Sequence, residues 1–261
     1  MLRMEGKIME PVNTLLDLSD ARILITGATG NIGSAIARRV SQAGARVALH
    51  YRTNAARATQ LQEELGSQSM TVQGDLSNAA GVSHIFQALD DASFTVNALV
   101  NNAADQSVAA LEHMSYEQWR QVLATNLDSI FLISQAALPG MVDGGSIVNI
   151  SSIEALDPAP GHSHYATSKA GMNMLTRALA LESGGAGVRV NSISPGLIRR
   201  EGIENDWPEG VARWQERAPL TRMGEAADVA DAALFLLSDA ARWISGANLV
   251  VDGGMSAQSK W

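Results

Sequence analysis

The 261-residue chain contains no cysteine, which excludes disulfides, thiolate metal sites and a thiol nucleophile. No metal site is read from the sequence. Basic residues are outnumbered, with 19 Lys and Arg against 27 Asp and Glu and a formal net charge of −8. Nucleic acid and anionic membrane surfaces both attract basic patches, and no local Lys/Arg run offsets the acidic balance. Neither is therefore an expected partner. No apolar run reads as long enough to span a bilayer. The opening MLRMEGKIMEPVNTLLDLSDA mixes Glu5 and Glu10 with Arg3 and Lys7 around no long apolar core. It lacks the pattern of a secretory signal or transit peptide, and the whole fits a cytoplasmic protein. Aromatics are sparse at 5%, as suits a buried parallel sheet covered by helices.

What the chain does have is alternation. Short β-branched runs take turns with longer helical segments, which predicts an α/β fold with a doubly wound, Rossmann-type parallel seven-stranded sheet and helices on both faces. The expected strands are Arg22–Thr26, Arg46–Tyr51, MTVQG before Asp75, Asn97–Asn102, Gly145–Ser152, Val188–Ser194 and Ala247–Gly254. Helices are expected around Ala55–Leu65, Ser77–Leu89, Ser115–Leu138 and Ser163–Ser183, besides one after the first glycine loop. No linker or repeat divides the chain, so residues 18–261 read as one domain behind an N-terminal extension, 1–17. Residues from Pro195 to about Leu220 read as an irregular excursion, with a substrate lid at about 197–220.

Three glycines, Gly27, Gly30 and Gly33, stand between the first strand and its helix in ILITGATGNIGSAIA. Glycine permits a tight turn and close approach to a pyrophosphate, and the helix N-terminus offers N–H groups and a positive dipole end. Sites preferring NAD carry an acid at the end of the second strand for the ribose 2′-hydroxyl. Here the segment is ALHYRTN, without a carboxylate. Arg52 has the forked donors to pair a 2′-phosphate, so NADP(H) is expected over NAD(H). Asp75 reads either as an adenine contact or as a helix cap.

Tyr165 and Lys169, four apart in HYATSKAG, share one helix face. A free tyrosine titrates near 10, and a neighbouring ammonium favours its phenolate. Ser152, at the end of the fifth strand, has a hydroxyl able to hold a substrate oxygen beside that phenol. Taken singly, each of these residues is as readily a surface pair, a cap or a tolerated polar group. Their order behind a glycine loop makes them a candidate site for hydride transfer to or from a carbonyl carbon, with Tyr165 as proton donor.

With TGATGNIG at Thr26–Gly33, GDL at Gly74–Leu76, NNAA at Asn101–Ala104, Asn126, Ser152, Tyr165–Lys169 and SPGLI at Ser194–Ile198, the chain resembles the compact, single-domain short-chain dehydrogenase/reductases. The resemblance runs from about Leu18 to Gly254 and extends to 3-oxoacyl-carrier-protein reductases and to sugar or polyol dehydrogenases. It implies that Tyr165 is the acid/base, that Lys169 lowers its pKa and holds the nicotinamide ribose, that Ser152 positions the carbonyl, and that Asn126 anchors a relay water. It places Gly27, Thr29, Gly30, Asn31, Ile32, Gly33, Arg52, Asp75, Leu76, Asn101, Asn102 and Ala103 along the dinucleotide, with Tyr165, Lys169, Pro195, Gly196 and Ile198 at the nicotinamide end.

Two departures stand out: Asn31 replaces a customary glycine, and Arg199 and Arg200 follow SPGLI where many members carry a threonine. Glu154, His162, His164 and Trp207 are the candidate substrate contacts. The partner is a small-molecule carbonyl or alcohol, and the resemblance implies a homotetramer. The alternatives are an NAD-dependent dehydrogenase of a sugar, polyol or other secondary alcohol, and a non-catalytic dinucleotide sensor.

Overall fold

The computed structural model describes residues 11–258; the first ten positions of the expected extension lie outside them. Seven parallel strands form one sheet: β1 (Arg22–Ile25), β2 (Arg46–Tyr51), β3 (Ser69–Gln73), β4 (Ala98–Asn101), β5 (Gly145–Ile150), β6 (Val188–Pro195) and β7 (Asn248–Val251). Their order is β3-β2-β1-β4-β5-β6-β7. The order reverses at β1, whose neighbours are β2 and β4. In such sheets, the crevice beyond the strand ends at this switch point is where ligands bind.

Side chains alternate across each strand, and the sheet therefore builds two cores. Ile23, Ile25, Val47, Leu49, Val148 and Ile193 fill one face, against α1 (Asn31–Gln42) and α9 (Ala226–Leu237). Leu24, Ala48, Leu99, Ile147 and Val190 fill the other, covered by α3 (Ala79–Asp91), α5 (Ser129–Ala137) and α6 (Ser163–Ser183). Strands covered on both faces need apolar residues at successive positions, which is why Ile23–Ile25 and Ala98–Val100 carry no polar side chain. α2 (Ala55–Leu65) flanks β2 and β3.

The expected helix Ser115–Leu138 is interrupted. α4 (Tyr116–Leu123) begins at a capping box of Ser115 and Gln118 and runs into a widened π turn, Ala124–Asp128, before α5. Read through that turn, Tyr116–Gly140 is long and apolar enough, by length and composition only, to cross a membrane. That corrects the expectation that no run qualifies, and the reason is that the helix continues through the turn. Within the fold α4 packs on α6 and α5 on α3.

The excursion after β6 is also more regular than expected. It folds as α7 (Ile203–Asp206) and α8 (Pro208–Arg217), the latter opened by Pro208 and Glu209 in its first turn. Proline at the first helical position sacrifices no needed N–H, and an acid there complements the dipole. At the other end, the described part of the extension turns once at Val12–Thr14. The Leu15 carbonyl then accepts the Ala240 N–H at 3.1 Å, and Leu18 is buried in the first core.

Candidate active site

At the switch point, three loops are tied together by side chains. Thr26 Oγ1 accepts the backbone N–H groups of Asn102 and Ala103 at 2.9 and 3.0 Å. Asn102 Nδ2 donates back to the Thr26 and Gly27 carbonyls at 3.0 and 3.1 Å. His50, buried at the end of β2, accepts the Gly27 N–H on Nδ1 at 3.2 Å and lies 3.1 Å from the Gly74 carbonyl through Nε2. A backbone donor on Nδ1 leaves the proton on Nε2, so one neutral tautomer satisfies both contacts. Burial lowers the His50 pKa, which keeps that neutral form in place. His50 and Thr26 were given no role from sequence; a histidine inside an apolar, doubly covered strand is the signal that marks such a residue.

The three glycines differ in why they are glycine. Gly27 has φ +62°, and a Cβ there would meet Ala103 Cα at 2.9 Å. A Cβ on Gly33 would lie 2.4 Å from the Gly27 carbonyl oxygen. Gly30 has an ordinary extended backbone, φ −74°, and a Cβ would meet nothing nearer than 3.3 Å. Neither strain nor neighbours demand glycine at Gly30. Gly30 is also the cap of the 12-residue α1, which has no side-chain cap hydrogen bond. Helix N-termini of this kind, left without a side-chain cap, are suited to a pyrophosphate. Asn31 and Thr29 flank Gly30, and Ile32 packs into the first core.

Toward the adenine end, Asp75 Oδ1 accepts the Ser77 N–H at 3.0 Å, and the Ser77 side chain adds a second hydrogen bond to the carboxylate. Leu76 is buried. Arg52 is exposed and forms no ion pair among the described residues; its charge helps hold the Asp75 pKa low, after the larger effect of the Ser77 hydrogen bonds. Arg52, Ser77, Gln121 and Thr125 border an open cleft of about 470 Å³. Asn101 points away from the cleft: its amide donates to Asn149 Oδ1 at 2.8 Å and to Ser134 Oγ at 3.3 Å.

The reacting groups gather at the ends of β5 and α6. Tyr165 is 7% exposed, Lys169 2%. Burial pushes the Tyr165 phenol up to about 12, opposed by a hydrogen bond with Ser152 and reinforced by the Glu154 charge. Burial brings Lys169 down to about 7. Its ammonium donates to the Ile150 carbonyl at 2.7 Å and stands 5.6 Å from the centre of the Tyr165 ring. Lys169 is not among the groups that shift the phenol; it lies over the ring face. Ser152 Oγ accepts the Glu154 N–H at 3.1 Å and directs its own proton toward Tyr165.

Asn126 lies in the π turn, fully buried, accepting the Asp105 N–H at 2.7 Å and donating to the Asp105 carbonyl and Ser168 Oγ at 2.9 and 3.1 Å. These contacts fix the Asp105 turn against α6.

Of the four candidate substrate contacts, two meet at the site. Glu154 and His162 pair at 2.8 Å, and the His162 ring lies 5.6 Å from that of Tyr165. His164 is turned inward and buried, with Nδ1 accepting the Tyr165 N–H at 2.9 Å. Successive helical residues point about 100° apart, so His164 cannot share the Tyr165 face. Trp207 rests on Gly210 within the lid. It is Trp214, donating to the Arg222 carbonyl at 3.1 Å, that packs onto Gly196. Pro195 ends β6, and Ile198 bridges to Gly224. The two departures from the family pattern meet: Asn31 Nδ2 donates to the Arg199 carbonyl at 2.7 Å. Arg199 itself pairs with Glu204 and Glu225, and Arg200 with Asp206 at 2.6 Å, so neither arginine is a free cation.

A phosphate cradle at a switch point beside a buried Tyr, Ser and Lys defines a class, the nicotinamide-dinucleotide oxidoreductases of alcohols and carbonyls. The family model described as enoyl-(acyl carrier protein) reductase matches residues 27–256. The chain is 33% identical to glucose 1-dehydrogenase 2 of Bacillus subtilis, over 92% of this chain and 96% of that one. It is 36% identical to the 3-oxoacyl-(acyl-carrier-protein) reductase of Chlamydia trachomatis, over 89% and 96%. A solved short-chain type dehydrogenase/reductase from Mycobacterium marinum superposes with a TM-score of 0.87 at 33% identity, over 95% of this chain and all of its own. The chain belongs to the short-chain dehydrogenase/reductase family. It is an NAD(P)-dependent oxidoreductase acting on CH–OH or C=O groups.

Proposed function

We propose that the chain is an NADP(H)-dependent carbonyl reductase, reversible toward the secondary alcohol, with Tyr165 as the acid/base. The observation that carries the reading is the convergence of Tyr165, Ser152 and Lys169 at the end of β5, two sheet positions from the glycine loop that follows β1. The bound nicotinamide supplies or accepts the hydride. Ser152, its oxygen already accepting the Glu154 N–H, offers its proton to the substrate oxygen. Tyr165, with its phenol held up to about 12 by burial, is fully protonated near neutrality and delivers its proton to that oxygen. Lys169 holds the nicotinamide ribose and stands over the Tyr165 ring; Asn126 positions the Asp105 turn beneath them. For the reverse direction the phenol must lose its proton, which a positive charge brought beside it favours.

NADP(H) preference rests on Arg52, unpaired at the end of β2 in a segment without a carboxylate. The homotetramer reading draws on apolar side chains exposed on α5 and α6, in the turn before β7 and on β7: Phe131, Met174, Leu181 (84% exposed), Trp243 (98%) and Val250. Where such side chains form a contiguous patch they mark a subunit contact.

The test is titration with NADPH and NADH, followed by nicotinamide fluorescence. NADPH is expected to bind more tightly. Arg52→Asp is expected to weaken NADPH by about tenfold or more, about 1.4 kcal/mol, and to leave NADH within about threefold. Equal losses for both would remove Arg52 as the 2′-phosphate ligand, and a wild-type preference for NADH would reverse the cofactor assignment.

A further inference from the structure

Glu154 and His162 come from different segments, a short turn after β5 and the residue before α6, yet they meet beside the reacting groups. Glu154 Oε2 is 2.8 Å from His162 Nδ1 and also accepts the Ala159 N–H at 3.3 Å. Both side chains are largely enclosed, at 15% and 14% exposure. Each is joined to a different member of the reacting set. The Glu154 N–H is on the Ser152 hydroxyl, and the His162 ring tilts against Tyr165, with centroids 5.6 Å apart and planes at 57°. Each also keeps one polar atom that no described residue engages, Glu154 Oε1 and His162 Nε2.

A carboxylate and an imidazole in that setting shape what can dock. Covering them with an apolar group would strip water from two strong polar atoms without replacement, at about 1–3 kcal/mol for each unpaired atom and more for a charged one. A substrate hydroxyl can donate to Glu154 Oε1 and exchange a hydrogen bond with His162 Nε2. Because Ser152 and Tyr165 fix the reacting oxygen, the pair addresses the position next to it. Sites built to bond a hydroxyl reject the analogue that lacks it far more strongly than apolar pockets discriminate by size.

From this geometry we infer that Glu154 and His162 form a hydroxyl-reading pair, which selects substrates bearing a hydroxyl on the carbon adjacent to the reacting carbon: vicinal diols, polyols, sugars and their α-hydroxyketones. The inference rests on the proposed placement of the reacting oxygen at Ser152 and Tyr165.

The experiment compares matched probes with purified full-length protein and NADP(H): D-glucose against 2-deoxy-D-glucose, cyclohexane-1,2-diol against cyclohexanol, and 1-hydroxybutan-2-one against butan-2-one. The hydroxylated member of a turned-over pair is expected to lead in kcat/KM by about 100-fold or more. In Glu154→Gln and in His162→Phe that lead is expected to fall to within about tenfold, mainly through the KM of the hydroxylated probe, while NADPH keeps its affinity. NADPH binding also reports whether each variant is folded, and either variant alone is sufficient. A lead for the deoxy probes, turnover of no hydroxylated probe, or a lead unchanged in both folded variants overturns the inference. Tyr165→Phe separates the two layers. If it abolishes turnover while the probes are used alike, only the hydroxyl-reading pair fails; if it keeps the wild-type rate, the acid/base reading fails with it.

Discussion

The two ends of the cleft are built on opposite principles. At the cofactor end, Thr26, His50 and Asn102 bind every neighbouring loop to the next, and their hydrogen bonds are satisfied within the protein. At the reacting end, polar groups are buried without full satisfaction. Of the four buried side-chain atoms lacking a partner among the described residues, three lie on α6, Ser163 Oγ, His164 Nε2 and Asn173 Oδ1, and the fourth is Asn101 Oδ1 at the end of β4. Lys169 is enclosed on the same helix with one carbonyl for company. A site that must receive an invariant dinucleotide can be rigid and self-contained. One that must exchange protons holds its groups in costly surroundings, and the cost appears as displaced pKa values.

The contrast is sharpest at the chemical step. Tyr165→Phe keeps the ring and its contact with His162 but removes the transferable proton. Turnover is expected to fall by about a thousandfold or more, with NADPH affinity unchanged within about threefold. A retained rate in steady-state assays would show that the reacting end does not depend on its tyrosine.

Next in size is a test within the cradle. Gly30→Val adds a side chain at the cap of α1, where the nearest neighbour of a Cβ is 3.3 Å away, so NADPH binding should weaken by more than about tenfold with a smaller loss of melting temperature than Gly33→Ala. Gly33→Ala drives a Cβ toward the Gly27 carbonyl, so its loss should register as a lowered melting temperature. If both variants behave alike, the distinction between a ligand-facing and a packing glycine collapses.

The smallest effect concerns stability. The folded pKa of Lys169 lies near 7, far below the ordinary value of about 10.4. Between these values the unfolded chain holds more protons, so this residue makes stability rise with pH from about 7 to about 10. Its burden is full below pH 7. Lys169→Met, which removes the charge and keeps the stem, is therefore expected to raise the melting temperature at pH 6 and to lose that advantage toward pH 10. Scanning calorimetry at the two pH values reads it directly, and an advantage that grows with pH would contradict the buried-charge account.

The same divide governed how much could be read from the chain itself. The strands and the glycine loop follow from hydrophobic periodicity and glycine spacing, which are local signals. Tyr165 and Lys169 were legible because four residues on a helix make one face. Glu154 and His162 were visible only as candidates, since their meeting depends on how the loop between β5 and α6 folds back. His164 misled for the converse reason: adjacency to Tyr165 in sequence is 100° of separation on the helix. The lid was read as irregular because its charges and tryptophans obscured the proline start of α8. Trp207 was the tryptophan read as a substrate contact, because nothing local shows that Trp214, two turns further along α8, lands on Gly196.

The π turn at Ala124–Asp128 gives the long helix one residue more than its turns require. Such an insertion has a fixed angular value, about 100° of rotation for everything beyond it. Ile130 and Ile133 face the core and Phe131 faces outward only with that offset in place. Deleting any one residue from the turn would restore regular spacing and revolve α5 against the sheet, carrying its core face toward solvent. The length of this helix is thus counted, rather than free, and Asn126 marks where the count is kept.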